Sequence, residues 1–186
     1  MLRKAIQQIR KWIDMGIQPV NLSVNQSKIV FYHENYISEL KSLLKEYDVS
    51  ASYITLEVLE STVIEDFKLF NQILLEVKKL GFSVSLDDFG SGYSSLNVLS
   101  KLTIDELKID RIFLHIDSDL ENKKTKWILE GIINIAKKSN IRVVVEGVES
   151  SKDDEFIRCL GANVGQGYYY SRPLSIDAFN DLIHKK

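Results

Sequence analysis

The chain has 186 residues, 45% hydrophobic and 27% charged, ordinary values for one folded domain with a substantial core. Twenty-four Lys and Arg against twenty-six Asp and Glu leave a net charge of −2, which excludes the basic field that holds duplex DNA or RNA. No run nears the ~20 apolar residues of a membrane span, and MLRKAIQQIRKWIDMG lacks the apolar stretch and cleavage site of a signal peptide, so a cytoplasmic protein is expected.

Leu2, Ala5, Ile6, Ile9, Trp12 and Ile13 follow helical spacing up to Gly16, and PVNLSV after them reads as a short strand. Ile37, Leu40, Leu43, Leu44 and Tyr47 mark a helix before the β-rich YITLEVLE. Phe67, Phe70, Ile73, Leu74, Val77 and Leu80 form a stripe that stops at Gly81, ahead of FSVSLDDF. A shorter helical piece around Leu96 and Leu99 leads to DELKID, and a helix through Trp127, Ile128, Ile132 and Ile135 precedes IRVVVEGVE. Phe156 to Leu160 is helical, with the lone Cys159 as a core position, and VGQGYYYS is the last strand before a closing helix from about Ile176 to Ile183.

Strands separated by helices predict a parallel sheet with crossovers, apolar on both faces. An open doubly wound sheet and a (β/α) barrel both satisfy this order. No Gly-rich fingerprint lies between a strand and a helix, which disfavours the dinucleotide-binding form of the open sheet.

Each strand carries a polar residue at or near its C-terminal end: Asn21; Glu57 with Glu60; Asp87 with Asp88; Lys108 with Asp110; Glu146 with Glu149; and Gln166. In a barrel these ends converge on one mouth, where barrel enzymes build their sites. Carboxylates and an amide oxygen, without His or Cys, suit Mg²⁺ or Mn²⁺. His33, His115 and His184 lack ligand spacing and read as surface or packing residues. Several carboxylates at one mouth can hold two cations that clamp the attacking and leaving oxygens of a phosphoester, with Lys108 as a fixed positive charge. An unrelated carboxylate-rich barrel that stabilises an enolate would use the same residue types. Asp88-Phe89-Gly90 spells the metal-binding tripeptide of protein kinases, but no HRD-type loop or Gly-rich loop precedes it.

In order and spacing, NLSV, LEVLE, SLDDFGSGYSSL, LKIDRIF, VVVEGVES and VGQGYYYSRPL resemble the EAL-domain phosphodiesterases, which hydrolyse the bacterial second messenger cyclic di-GMP to the linear dinucleotide pGpG. The resemblance implies an α/β fold, a TIM-like barrel with two divalent cations, Mg²⁺ or Mn²⁺, over its mouth. It implies Asn21, Glu57, Asp87, Asp88 and Glu146 as metal ligands, and Lys108, Glu146 and Asp88 as the catalytic set, with Lys108 positioning the attacking water. Gln166, Glu60, Asp110 and Glu149 take binding or supporting roles, and the segment Phe89, Gly90, Ser91, Gly92, Tyr93 lies where such domains form homodimers. Gly90 and Gly92 are expected to turn the chain so that both aspartates reach the mouth.

The Glu-Ala-Leu motif that names the family is not in this sequence. In a complete domain two further strands precede the first helix, and the second carries that motif with its metal-binding Glu. The chain therefore reads as six βα units of an N-terminally incomplete barrel, one domain over residues 1–186, with sensory or cyclase domains upstream in a longer protein. Unpaired strand edges invite another chain. The alternative function is a catalytically impaired domain that binds cyclic di-GMP or a protein partner.

Overall fold

Apolar residues three and four apart lay one face of each helix on the sheet, and the β-branched runs between them pair as strands. The computed structural model describes residues 1–63, 67–91, 99, 101–114 and 119–184. Its elements are α1 (Leu2–Asp14), β1 (Leu22–Gln26), α2 (Lys28–Phe31), α3 (Tyr36–Tyr47), β2 (Ile54–Leu59), α4 (Glu60–Val63), α5 (Phe67–Lys79), β3 (Ser83–Phe89) and β4 (Glu106–Ile109). They continue with α6 (Asp119–Lys138), β5 (Arg142–Val145), α7 (Ser151–Cys159), β6 (Val164–Gly165) and α8 (Ile176–His184). The helical piece around Leu96 lies outside the described residues, although Leu99 is buried.

The six strands lie side by side in sequence order, every pair parallel. A doubly wound sheet reverses direction at a switch point, whereas strands added in one direction curl into a (β/α) barrel. The strand order thus decides between the two architectures that the element pattern leaves open.

Apart from β5, where Val144 is buried opposite Val143 and Val145, the strands are apolar on one face, not both. Val24, Leu56, Val58, Val84, Leu86, Leu107, Val143 and Val145 join Ile6, Ile9, Trp12, Phe70, Leu74, Ile133 and Ala136 in a single core. Alternate positions carry Asn25, Thr55, Glu57, Ser85, Asp87 and Lys108, because the period of two sends every second side chain to the concave side. That interior is polar, and its polarity is what makes a charged site possible at one end.

Three smaller expectations change. Cys159 is helical but exposed, since α7 buries Ile157 instead. On α6 the buried stripe is Leu129, Ile132, Ile133 and Ala136, which leaves Trp127 and Ile128 exposed. The last strand is only Val164–Gly165, because Tyr170 N and Ser171 N donate to Gly167 O and turn the chain at the three tyrosines.

Among the described residues β1 and β6 are edge strands, and α1 approaches α8 across the space between them. Trp12 Nε1 donates to Asn180 Oδ1 at 2.8 Å, and its ring packs on Phe179 at 6.2 Å. The groove there, about 740 Å³, is lined by Leu22, Val24, Leu174 and Phe179 among others. No helix among the described residues is long and apolar enough to cross a membrane.

Candidate active site

Parallel strands in register place equivalent positions at one level. Asn25 pairs with Glu57, and Glu57 with Ser85; Lys108 on β4 pairs with Val144 on β5, two residues before Glu146. Glu57, Asp87, Lys108 and Glu146 therefore reach the same end of the concave face.

Lys108 is their centre. Only 5% exposed, it has its Nζ 2.7 Å from Glu146 Oε1, 2.9 Å from Asp87 Oδ1 and 3.0 Å from Glu57 Oε1. Burial alone would push the lysine pKa down, but its hydrogen bonds to Glu146 and Asp87 and the charges of Glu146 and Glu57 outweigh it and hold the ammonium above the ordinary lysine value. It is protonated at neutral pH.

The carboxylates remain short of positive charge. Burial pushes Glu146 up, against the pull of Lys108 and with help from Asp87 and Asp88. Asp88 is also raised, by burial first and then by Asp87 and Asp110. One oxygen from each of Asp87, Asp88 and Glu146 lies within 4.8 Å of the others. Three hard oxygen donors without His or Cys, two of them pushed toward protonation chiefly by burial, fit a divalent cation such as Mg²⁺ or Mn²⁺.

The turn after β3 aims these groups. Asp88 itself takes φ +57, its N–H donates to Asp87 Oδ1 at 3.1 Å, and Ser91 Oγ donates to Asp88 O at 2.8 Å. Gly90 follows at φ +103, so close to the Phe113 ring that a Cβ would lie 2.2 Å from Cε2. Phe89 is buried in the core. Gly92 and Tyr93 lie outside the described residues.

The other expected positions divide. Asp110 borders the cluster but spends Oδ1 on Ile112 N, 2.8 Å away. Glu146, Glu149 and Gln166 line one cleft of about 410 Å³ with Asp88 and Asp110. Gln166 is held by backbone bonds to Val145 and Val148, while Glu60 is buried at the start of α4.

Asn21 belongs elsewhere. It precedes β1 at the N-terminal end of the sheet, donating to Ser52 O at 3.1 Å and accepting from Thr55 Oγ1 at 2.8 Å. Four positions separate it from Asn25, about 13 Å along a strand, so it cannot share a cation with Glu57. The amide beside Glu57 is Asn25. Two Asn stand four apart in VNLSVNQ, and the strand starts after the first and includes the second, later than β-propensity alone indicates.

A sequence profile of the EAL domain matches residues 1–173. The chain is 36% identical over 174 residues to the bifunctional diguanylate cyclase/cyclic di-GMP phosphodiesterase MucR of Pseudomonas aeruginosa, an alignment covering 94% of this chain and 25% of MucR. It is 34% identical over 175 residues to the cyclic di-GMP phosphodiesterase PdeR of Escherichia coli, covering 94% of this chain and 26% of PdeR. The chain thus spans about a quarter of these relatives. Among solved structures, a MucR phosphodiesterase in complex with c-di-GMP superposes with a TM-score of 0.85 at 35% identity, over 96% of this chain and 71% of that one.

Proposed function

Because this chain belongs to the EAL domain family, we propose that it is a cyclic di-GMP phosphodiesterase domain that opens one phosphodiester of the ring to give linear pGpG. The observation that carries the reading is the buried Lys108 held by Glu57, Asp87 and Glu146 at the C-terminal end of a parallel barrel sheet, with Asp88 beside them. The names of MucR and PdeR support the substrate, as does the nucleotide in the MucR complex.

In this reading Asp87, Asp88 and Glu146, with Glu57 and Asn25 alongside, would hold two Mg²⁺ or Mn²⁺ ions. Divalent cations bound there supply charge neutralisation and polarisation of phosphoryl oxygens. The chain's own residues do the rest. A water oxygen attacks phosphorus as the bond from phosphorus to the 3′ oxygen breaks; the water's proton passes to a carboxylate of the site, and the 3′ oxygen leaves with a proton delivered from solvent. Lys108 supplies a fixed positive charge beneath the reacting group, and its water-orienting role requires one of its carboxylates to turn toward a cation. Gln166 and Glu149 border the bound dinucleotide, while Asp110 and Glu60 keep the turns around it in place. A cytoplasmic signalling role, self-association through the segment beginning at Phe89, and further domains in a longer polypeptide belong to the same reading.

Equilibrium dialysis of the chain against labelled cyclic di-GMP, with Mn²⁺ and with a chelator, tests it. Retention that needs the cation and that excess GTP does not displace is the expected result. No retention by a folded, Mn²⁺-loaded chain would overturn the assignment.

A further inference from the structure

A cyclic dinucleotide carries two phosphodiesters, and the site described above supplies one side-chain cation, which is already engaged. An ammonium has three N–H donors, and Lys108 has three carboxylate oxygens within 3.0 Å. Lys108 therefore has no N–H left for a phosphate oxygen, and a side-chain donor to the dinucleotide's phosphates has to come from another residue. Asp88, Asp110, Glu146 and Glu149 make the cleft wall more anionic still before cations bind.

Arg111 lines the same cleft. It is exposed, and among the described residues no side chain accepts a hydrogen bond from its guanidinium or pairs with it. The stem is nevertheless fixed at its base. Arg111 opens a single turn, Arg111–Phe113, whose start is capped by Asp110, and its Cβ presses on Gly147, where an added Cβ would lie 2.3 Å away. Gly147 has φ +71, directly after Glu146. The chain leaves β5 through a residue without a side chain at the one place where the arginine stem crosses it. The result is an unspent guanidinium rooted between two carboxylates of the site, Asp110 and Glu146.

Resting on the proposed function, we infer that Arg111 is a substrate-binding residue, donating paired hydrogen bonds to phosphate oxygens of the bound cyclic dinucleotide. Guanidinium geometry matches two phosphate oxygens at once, a match that the point charge of lysine lacks. Arg111 reads the phosphodiester and not the cation, so its removal separates nucleotide affinity from metal affinity.

The test is titration of the full chain, loaded with Ca²⁺ through the same oxygen ligands, with cyclic di-GMP. Arg111→Ala and Arg111→Lys are compared with the wild type, and Ca²⁺ affinity is measured in parallel. Arg111→Ala is expected to weaken nucleotide binding about 10- to 100-fold, the range for losing charge-assisted hydrogen bonds, while Ca²⁺ affinity stays within about twofold. Arg111→Lys is expected to fall between the two. Nucleotide affinity in Arg111→Ala equal to that of the wild type would overturn the inference and leave the proposed function standing, as would a loss that follows Ca²⁺ affinity. A wild-type chain that loads Ca²⁺ yet binds no cyclic di-GMP would overturn both.

Discussion

Lys108 Nζ lies 2.7 Å from Glu146 Oε1, and the pair is the inner wall of the site. With Glu57 and Asp87 at 3.0 and 2.9 Å, the lysine cancels one charge where three carboxylates meet. Replacing it with Met leaves buried carboxylates facing each other without a counter-charge. Breaking a buried pair in this way costs roughly 3–5 kcal/mol. Urea unfolding of Lys108→Met in a chelator is expected to show a loss of this order, and Mn²⁺ is expected to restore part of it.

Asp88 and Glu146 set a pH dependence with a defined sign. Both carry raised pKa values in the folded chain, so from about pH 4 up to those raised values the native state holds more protons than the unfolded one. Their contribution to stability is fully present below that window and is lost as pH rises through it. Unfolding midpoints measured in a chelator are therefore expected to fall across the window, and the fall should shrink in Asp88→Asn. In saturating Mn²⁺ the cation favours the ionised carboxylates, and the decline is expected to flatten.

The two asparagines of VNLSVNQ separate by position in the sheet. Asn25→Ala is expected to weaken Mn²⁺ binding about 10- to 100-fold, as loss of a group beside a metal site does. Asn21→Ala leaves Thr55 Oγ1 and Ser52 O without their partner and is expected to cost about 1 kcal/mol of stability with Mn²⁺ affinity unchanged. Calorimetric Mn²⁺ titration of both variants checks the pair, and the opposite ranking would return the ligand role to Asn21.

Gly90 holds the turn that presents Asp88. A methyl group there meets the Phe113 ring at 2.2 Å, on a backbone with φ +103. Gly90→Ala is expected to destabilise the chain by roughly 1–3 kcal/mol. Trimming the ring in Gly90→Ala/Phe113→Leu should recover the steric part and leave the backbone part. Thermal unfolding of the single and double variants measures the split.

Much of this was legible before the fold. Alternating helical and β-branched segments mark the βα units, and Glu57, Asp87, Asp88, Lys108 and Glu146 are visible as polar residues closing apolar runs. Their meeting around one lysine was not, because it depends on register between strands far apart in the chain. Asn25 was missed for a related reason. β-Propensity locates a strand but not its first residue, and an error of a few positions moves the wrong amide to the mouth. Trp127 and Ile128 look like core on helical spacing, yet Leu129 and Ile133 provide a competing stripe that packs better on β5. Arg111 sits inside the LKIDRIF motif, but its place in the cleft and its crossing over Gly147 show only in the fold.

The most direct measurement is turnover: the 186-residue chain incubated with cyclic di-GMP and Mn²⁺, the products resolved by chromatography, and Glu57→Gln run beside it. The expected result is linear pGpG from the wild type and none from the variant, whose folding is verified by circular dichroism. A folded wild-type chain that binds cyclic di-GMP and yields no product would contradict the phosphodiesterase reading and leave a cyclic di-GMP receptor in its place.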